Sequence, residues 1–426
     1  MAIAKGNFAV RFWDGTVHAA QIDPRFTLCL SHPAALRVAF RPHSRLRVAI
    51  CTCSARLPSQ HSAETLLKSM ASLRHRAIAK RVIAAVLGLV ALTGVAPAGG
   101  TSLHARLLAA NRLFLNHYDQ IERSGGHNLA VDLAGRFNMD MAALEVKTLP
   151  AGYAMADYQA RLNETITLDA TLIRELLAGS EQSYAGKSGL FEGVIRAQAD
   201  GTLQPYAVYI PPSYYHTSSP SIVVILHGQP QTESEILSSI YFRNLADASG
   251  SVLVAPYGRG LYDFPPPADE EVYQTLDHVN SIVHAASRRI YLAGYSMGGF
   301  SVYKVGPLHA SRWAALMSIA GAILNSESQR VAFLFRNTPF YVVTGKQDQV
   351  IPSVYGEMSA SFLDSAGIPT GFYEEPAGEH WLGTLLPSLT RAWTDMMAGT
   401  VHPPSRKVGG NLNAIPAAPK SVPMKP

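Results

Sequence analysis

Helical periodicity marks the part of the chain that precedes residue 187. Five leucines are spaced loosely as on one face of a helix: Leu103, Leu107, Leu108, Leu113 and Leu115. A second helical pattern covers residues 158–177, and glycine and proline clusters interrupt the region near residues 125 and 150. We predict a helical N-terminal segment over residues 99–186. We interpret it as a cap or packing extension, because it contains no catalytic constellation.

After Gly186 the pattern changes to short runs rich in β-branched and aromatic residues. Eight runs predict strands: Leu190–Ala197, Pro205–Pro211, Ile222–Leu226, Val252–Pro256, Ile290–Gly294, Ala314–Ile319, Phe340–Thr344 and Gly371–Glu375. The first two show some alternation between polar and apolar residues and flank a polar turn, which favours an antiparallel hairpin. The later runs are continuously apolar, as in strands that are buried on both faces.

Helical stretches separate the predicted strands. They cover Thr232–Ala248, Glu271–Ala286, Gly298–Gly306, Pro352–Ser365 and Leu386–Met397. Alternating strands and helices give a mostly parallel central sheet with helices on both faces. We therefore predict an α/β domain over residues 187–400. A tail over residues 401–426, rich in Pro, Ala, Lys and Gly, is predicted to be disordered.

The segment at residues 70–98 has the pattern of a secretory signal peptide. Four Lys and Arg side chains come first, the apolar run Val82–Leu92 follows, and Ala96 and Ala98 supply the small residues that a signal peptidase reads. The apolar run is short for a membrane helix, which needs about 20 residues. An uncleaved membrane anchor is the alternative. We expect export to the periplasm or outside the cell, with no stable membrane anchor after processing.

Residues 1–69 show no sustained periodicity. Because a secretory signal works at an N-terminus, the simplest interpretation is that these residues are a mis-assigned upstream extension and that Met70 is the true start. A genuine disordered or targeting leader is the alternative. The chain's three cysteines, Cys29, Cys51 and Cys53, all precede Met70. The predicted mature chain therefore contains no disulfide, thiolate metal site or cysteine nucleophile.

Composition and charge narrow the classes of function. A chain that is 47% hydrophobic and 16% charged is neither disordered nor collagen-like. The net charge of +5 is unevenly placed, because residues 1–98 hold 13 of the 36 Lys and Arg but 3 of the 31 Asp and Glu. The remainder is acidic, so we predict no nucleic-acid partner.

The strongest chemical signal is the sequence Gly294-Tyr295-Ser296-Met297-Gly298. It follows a predicted strand directly and opens a predicted helix, which is the setting of a nucleophile elbow. A serine hydroxyl is a weak nucleophile, and a sharp strand-to-helix turn exposes it beside the N–H donors of the helix N-terminus. A glycine-rich turn with a structural serine is the alternative.

A general base and an acid follow the serine in the order that this architecture requires. Asp348 lies in the loop after the strand Phe340–Thr344, and His380 lies in the loop after Gly371–Glu375. We predict that His380 takes the Ser296 proton and later returns it to the leaving group, while Asp348 holds the imidazole. Glu379 is the competing acid.

Two further groups of residues are predicted around the serine. An oxyanion hole needs two N–H donors, and we assign them to Met297 and to Gln229, in the loop after the third strand. Tyr257, Arg259 and Trp381 are candidate substrate-binding residues. Arg259 binds either a substrate carboxylate or a loop carboxylate, and Trp381 is either a pocket wall or part of the core.

Several segments resemble the secreted esterase branch of the α/β-hydrolases, the feruloyl-esterase and polyhydroxybutyrate-depolymerase-like group, which borders the prolyl-oligopeptidase-type serine peptidases. They are PYAVYIPPSYY, SIVVILHG, VLVAPYGRG, RIYLAGYSMGGF, GKQDQVIP and PAGEHW. The resemblance covers residues 187–400 and implies the α/β-hydrolase fold. It also implies the triad Ser296, Asp348 and His380.

We therefore predict a serine esterase that acts on a small-molecule or polymer ester through an acyl-enzyme. A serine peptidase of the prolyl-oligopeptidase type and a non-catalytic binding protein on the same fold are the alternatives. No metal-ligand spacing, phosphate loop or complete dinucleotide fingerprint is present, so no metal or cofactor is predicted.

Overall fold

The structure is a computed structural model of the chain. It describes the course of five short strands before residue 51, and residues 102–148, 155–218, 220–229, 231–260, 263–285, 289–404 and 412. The predicted signal peptide at 70–98 lies outside the described residues. The same holds for most of the predicted tail at 401–426.

The five short strands form two antiparallel groups. They are β1 (Gly6–Arg11), β2 (Val17–Ile22), β3 (Thr27–Cys29), β4 (Leu36–Ala39) and β5 (Arg47–Ile50). Strand β1 pairs with β2, and β4 pairs with both β3 and β5. The interpretation of residues 1–69 as a mis-assigned or disordered leader stays a prediction.

The chain divides into two compact units. One comprises residues 1–115, 134–162 and 423–426, and the other comprises residues 116–133 and 163–422. The candidate site lies within the second unit. The domain boundaries predicted at residues 186 and 400 stay predictions.

In the described residues, four helices precede the main sheet, as the periodicity predicted. They are α1 (Leu103–Asn116), α2 (Tyr118–Gly125), α3 (His127–Leu144) and α4 (Met155–Ala178). On α1 the buried positions are Leu107, Ala110, Asn111 and Phe114. That spacing of three and four residues forms one stripe, and the leucines at 113 and 115 flank it half-buried. The predicted five-leucine face was therefore wrong in part.

Glu175 on α4 is a buried carboxylic acid. Its Oε1 accepts the N–H of Gln182 at 2.8 Å, while its Oε2 is buried without a hydrogen-bond partner among the described residues. Burial raises the pKa of Glu175 from its ordinary value near 4.5 to about 7; the Gln182 N–H opposes the rise and the Glu181 carboxylate adds to it. The folded chain therefore favours the neutral acid.

We expect the free energy of unfolding to fall as the pH rises from about 4.5 to 7, because folded Glu175 keeps a proton that the unfolded chain has released. The contribution is fully present below this window and lost above it. Glu175→Gln should raise stability at pH 8 by about 2 kcal/mol and change it little at pH 4. Urea unfolding at both pH values measures the effect, with the exposed Glu379→Gln as control. An equal effect at both pH values would contradict the assignment.

The main sheet has eight strands. They are β6 (Gly189–Arg196), β7 (Leu203–Ile210), β8 (Ser221–Leu226), β9 (Ser251–Pro256), β10 (Ile290–Tyr295), β11 (Ala315–Ile319), β12 (Phe340–Gly345) and β13 (Thr370–Glu375). Their order in space is β13-β12-β11-β10-β8-β9-β7-β6. Strand β7 pairs antiparallel with β6 and β9, and the other pairs are parallel. This is the sheet of the α/β-hydrolase fold, so the predicted fold class is confirmed.

The apolar runs of β8 to β12 are buried on both faces, as their continuity predicted. The prediction was wrong for β13, an edge strand in which Phe372, Glu374 and Glu375 are only half-buried. In β8, Ile222, Val224 and Leu226 belong to the core on one side of the sheet, and Val223 and Ile225 belong to the core on the other side. All five are fully buried. Because side chains alternate along a strand, helices must cover both faces.

Seven helices connect or follow these strands in the described residues. They are α5 (Glu233–Ser238), α6 (Ile240–Ser249), α7 (Ala268–Val283), α8 (Met297–Val305), α9 (Asn325–Leu334), α10 (Ser353–Ser365) and α11 (Leu382–Ala398). Two 3₁₀ helices cover Pro212–His216 and Gly306–Arg312.

Three helices depart from the sequence prediction. The single helix predicted over Thr232–Ala248 is two helices, because Ser239 has an extended backbone and the Arg243 Nε–H caps the carbonyl of Leu237 at 2.8 Å. Helix α9 was missed, because it buries little more than Val331 and Ser328 and has no strong apolar stripe. Helix α11 begins four residues before the predicted start. It contains Pro387, and the N–H of the next residue, Ser388, donates to the Glu375 side chain at 3.2 Å.

Candidate active site

The candidate nucleophile sits on a strained turn between β10 and α8. Ser296 has φ 55° and ψ −116°, a conformation that a residue with a side chain rarely adopts. Its backbone N–H donates to the Ile319 carbonyl at 2.8 Å, so the neighbouring strand β11 holds the turn. Such strain persists only where the surrounding structure enforces it, and it is common at functional sites.

Two glycines of the motif are required by close backbone contacts. A Cβ on Gly294 would lie 2.1 Å from the Gly298 carbonyl oxygen, and a Cβ on Gly298 would lie 2.0 Å from that of Leu226. No side chain fits at either distance. The motif therefore allows α8 to start directly against the ends of β10 and β8.

We expect Gly298→Ala to destabilise the fold by about 1–3 kcal/mol, because the new methyl group must push α8 away from β8. Any ester turnover should fall with it, since Ser296 starts that helix. Thermal unfolding and ester hydrolysis measure the two effects. Gly135→Ala is the matched control, because a Cβ there meets nothing within 4 Å. A Gly298→Ala protein with wild-type melting and turnover would contradict the close-contact argument.

The structure brings Ser296, His380 and Asp348 into one hydrogen-bonded line. The Ser296 Oγ lies 2.9 Å from His380 Nε2, and His380 Nδ1 lies 2.8 Å from Asp348 Oδ2. All three residues are at most 5% exposed. An ionised Asp348 accepts the Nδ1–H, which leaves Nε2 free to accept the Ser296 proton.

Backbone contacts hold the acid and the histidine loops together. The N–H of Lys346 donates to the Glu375 carbonyl at 2.9 Å, and that of Gln347 donates to the Gly378 carbonyl at 2.8 Å. These bonds continue the pairing of β12 with β13 beyond the strands. The chain therefore delivers Asp348 and His380 to one place by main-chain bonding.

Asp348 is itself fixed by two backbone donors. Its Oδ1 accepts the N–H groups of Val350 and Ile351, each at 2.8 Å, while its Oδ2 faces His380. Both oxygens are thus committed. The competing acid, Glu379, is exposed, and its backbone N–H donates to the Thr384 hydroxyl at 2.9 Å. The carboxylate that contacts the His380 ring is that of Asp348.

Tyr295 is a site residue that the sequence analysis missed. Its hydroxyl donates to the His380 carbonyl at 2.7 Å, and its ring lies 5.6 Å from the imidazole. Burial and the nearby Asp348 carboxylate raise the pKa of Tyr295, which keeps its hydroxyl a donor. The variable position of the motif, immediately before the serine, was the available signal, because a buried tyrosine needs a partner for its hydroxyl.

The loop that carries Gln229 passes directly over the serine. A Cβ on Gly228 would lie 3.2 Å from the Ser296 Cβ. The Gly228 carbonyl accepts the N–H of Gln231 at 3.0 Å, and the Gln229 N–H takes no part in that bond. His227 faces the carbonyls of Gly228 and Tyr257 from its two ring nitrogens, each at 3.1 Å, so it shapes this loop.

Met297 is the first residue of α8, and it is buried. The first N–H groups of a helix have no acceptor within the helix, and they lie at the positive end of its dipole. Met297 thus follows Ser296 in the chain, and Gln229 follows Gly228, the glycine that packs against Ser296. Their role as oxyanion donors stays a prediction.

The three predicted substrate-binding residues have different surroundings. Tyr257 is buried. Arg259 binds the carboxylates of Glu271 and Asp200 with its guanidinium nitrogens, which favours the loop-holding alternative. Trp381 is half-buried and caps the start of α11, where its carbonyl accepts the N–H of Thr384 at 3.0 Å. Their contact with substrate stays a prediction.

In the part of the chain that the structure describes, no helix combines the length and apolar character that a membrane crossing requires. Within the same described residues, no three His, Cys, Asp or Glu side chains cluster as metal ligands.

No family model matches this chain. A bifunctional acetylxylan esterase/xylanase of Neocallimastix patriciarum is 29% identical over 144 residues, which are 33% of this chain and 21% of that protein. The chain thus matches about a fifth of that relative's length. The predicted resemblance to esterases is confirmed by this similarity.

Solved structures that align with this chain include the following two. The fluorophosphonate-binding serine hydrolase F of Staphylococcus aureus aligns with a TM-score of 0.43 at 15% identity, covering 50% of this chain and 99% of that one. A ferulic acid esterase of Anaeromyces mucronatus aligns with a TM-score of 0.39 at 15% identity, covering 52% of this chain and 95% of that one. The assignment of the fold rests on the strand order given above.

Proposed function

We propose that this chain is a serine esterase that cleaves carboxylic ester bonds through an acyl-enzyme intermediate. The observation that carries the proposal is the hydrogen-bonded line from the Ser296 hydroxyl through His380 to Asp348. It stands at the C-terminal ends of three parallel strands, where open α/β sheets bind their ligands. The similarity to an esterase supports the same chemistry.

In the first half of the reaction, the Ser296 oxygen attacks the ester carbonyl carbon as His380 Nε2 takes the hydroxyl proton. The carbonyl oxygen becomes an oxyanion, which the N–H groups of Met297 and Gln229 stabilise. The C–O bond to the alcohol then breaks, and His380 returns the proton to the departing alcohol. Asp348 stays ionised and stabilises the imidazolium, while the Nδ1 proton remains on His380.

In the second half, water attacks the acyl carbon and gives its proton to His380. Collapse of the second tetrahedral intermediate breaks the bond to Ser296, and the proton passes back to the serine oxygen. The products are a carboxylic acid, an alcohol and free enzyme. His380 takes and returns each proton in this cycle, so the proposal needs no metal or cofactor.

The substrate is a small-molecule or polymer ester. A peptidase of the prolyl-oligopeptidase type would use the same triad, and we favour an ester because the matched relative is an esterase. A non-catalytic protein on this fold would need no complete triad. Action in the periplasm or outside the cell, after removal of residues 70–98, belongs to the proposal.

A panel of substrates tests the function. The panel holds acyl p-nitrophenyl esters of increasing chain length, a feruloyl ester, acetylated xylan and peptide p-nitroanilides. At least one class of ester should be hydrolysed, and the anilides should not be. A fluorophosphonate probe should label the protein at Ser296. Cleavage of the anilides in preference to every ester would favour the peptidase. No turnover and no labelling would favour the binding protein.

A further inference from the structure

Asp263, in the loop between β9 and α7, contacts α8 at three points. Its Oδ1 accepts the Ser301 hydroxyl at 2.7 Å, its Oδ2 binds the Lys304 ammonium group, and its backbone N–H donates to the Met297 sulfur at 3.2 Å. Met297, Ser301 and Lys304 follow one another at four and three residues, so they share one face of α8. Asp263 thus binds helix α8, whose first residue, Met297, is a proposed oxyanion donor.

The backbone at this point has an unusual conformation. Asp263 and Phe264 both have φ 47°, in the left-handed region. Aspartate tolerates this region because its short side chain bonds locally, but a phenylalanine there is an outlier. Two such residues in succession persist only where contacts on both sides hold them.

Phe264 makes the contacts on the other side. Its ring is buried, and it occupies the space that a Cβ on Gly258 would fill, 2.5 Å from the nearest ring atom. It also packs against the His227 ring at 5.2 Å between centroids. His227 in turn contacts the carbonyl of Gly228, which precedes the second proposed donor.

We propose that Asp263 and Phe264 are positioning residues that fix the separation between the two oxyanion donors. Asp263 holds the first turn of α8 with Met297, and Phe264 supports the loop that carries Gln229. The left-handed backbone turns these two adjacent side chains toward two different elements. The inference rests on the proposed function, because it concerns the geometry of that reaction's oxyanion hole.

The role has a kinetic signature. An oxyanion forms only in the transition state, so a displaced donor lowers kcat and leaves KM nearly unchanged. Loss of one such donor costs about 10²–10³ in turnover, and a partial displacement costs less. A residue that only stabilised the fold would lower the melting temperature without this change in kcat.

The experiment measures kcat, KM, the melting temperature and the inhibition constant of a trifluoromethyl ketone, which adds to serine as a tetrahedral oxyanion. For Asp263→Ala we expect about a 10²-fold fall in kcat with KM changed less than about threefold. Inhibitor affinity should fall in parallel with kcat/KM. Asp263→Asn keeps one acceptor for Ser301 and should lose about tenfold. Phe264→Leu should act in the same direction.

Asp277→Asn is the matched control, because Asp277 also pairs with a basic side chain, Arg312, but is largely exposed on α7. It should keep wild-type kcat. Normal kcat and inhibitor affinity in both Asp263 variants and in Phe264→Leu would overturn the proposal, whatever the melting temperatures show. If Asp263→Ala does not fold, Asp263→Asn and Ser301→Ala give the answer. The proposed function is tested separately by ester turnover of the wild-type protein and its loss in Ser296→Ala. If the wild type showed no turnover, or if Ser296→Ala kept it, the proposed function would be overturned, and the positioning role with it.

Discussion

Ser296→Ala is expected to lower ester turnover by about 10⁶, to the level that binding and the oxyanion donors sustain without a nucleophile. The hydroxyl is the single attacking atom in the proposed cycle, and its 2.9 Å contact with His380 Nε2 activates it. Steady-state hydrolysis of p-nitrophenyl acetate and labelling by a fluorophosphonate measure the loss.

The fold should survive this substitution. Alanine removes one atom, and the N–H of residue 296 still donates to Ile319. The melting temperature and circular dichroism should therefore match those of the wild type. Ser221→Ala, at the start of β8 and away from the site, controls for loss of a buried hydroxyl and should retain labelling. Labelling of the Ser296→Ala protein at another serine would place the nucleophile elsewhere.

Asp348→Asn is expected to lower turnover by about 10⁴ with little change in KM. The amide can present an N–H to His380 Nδ1, which favours the imidazole tautomer that carries its proton on Nε2 and cannot accept from Ser296. His380→Ala should cost about as much as Ser296→Ala, because the members of the triad act as a unit.

Glu379→Gln is the matched control for Asp348→Asn. It neutralises the carboxylate next to His380 in sequence, yet that side chain is exposed and the bond to the His380 ring comes from Asp348. Its turnover should stay within about twofold of wild type, as is usual for surface changes. If Glu379→Gln were the crippling variant and Asp348→Asn were active, the acid would be misassigned while the Ser296–His380 pair survived.

Strong local patterns made the main sheet predictable. The run Ile222–Leu226 is apolar at every position, and the structure buries both of its faces in two cores. The serine motif was equally clear. A Cβ added to its glycines would lie about 2 Å from backbone atoms, so only glycine fits there. The order of Ser296, Asp348 and His380 along the chain followed from the same architecture.

Contacts between side chains distant in sequence were not predictable. Asp263 could have paired with any of the basic residues, and nothing local selects Lys304 and Ser301 as its partners. Arg259 was left with two alternatives for the same reason, and its partners are Glu271 and Asp200. Helix α9 was not predicted because few of its residues pack against the core, so its sequence shows no periodic apolar pattern.

The place of β8 in the sheet has a consequence for how the chain folds. Strand β8 pairs with β9 on one side and with β10 on the other, so Ile222 must find Ile290 across the whole intervening segment. Closing so long a loop is slow, because its entropy cost precedes any reward from contacts. Until β10 docks, one edge of a strand that is apolar from Ile222 to Leu226 stays open to pairing with other chains. Aggregation should therefore compete with the docking of β10 during refolding. Recovery of ester turnover should lag behind recovery of the helical circular dichroism signal.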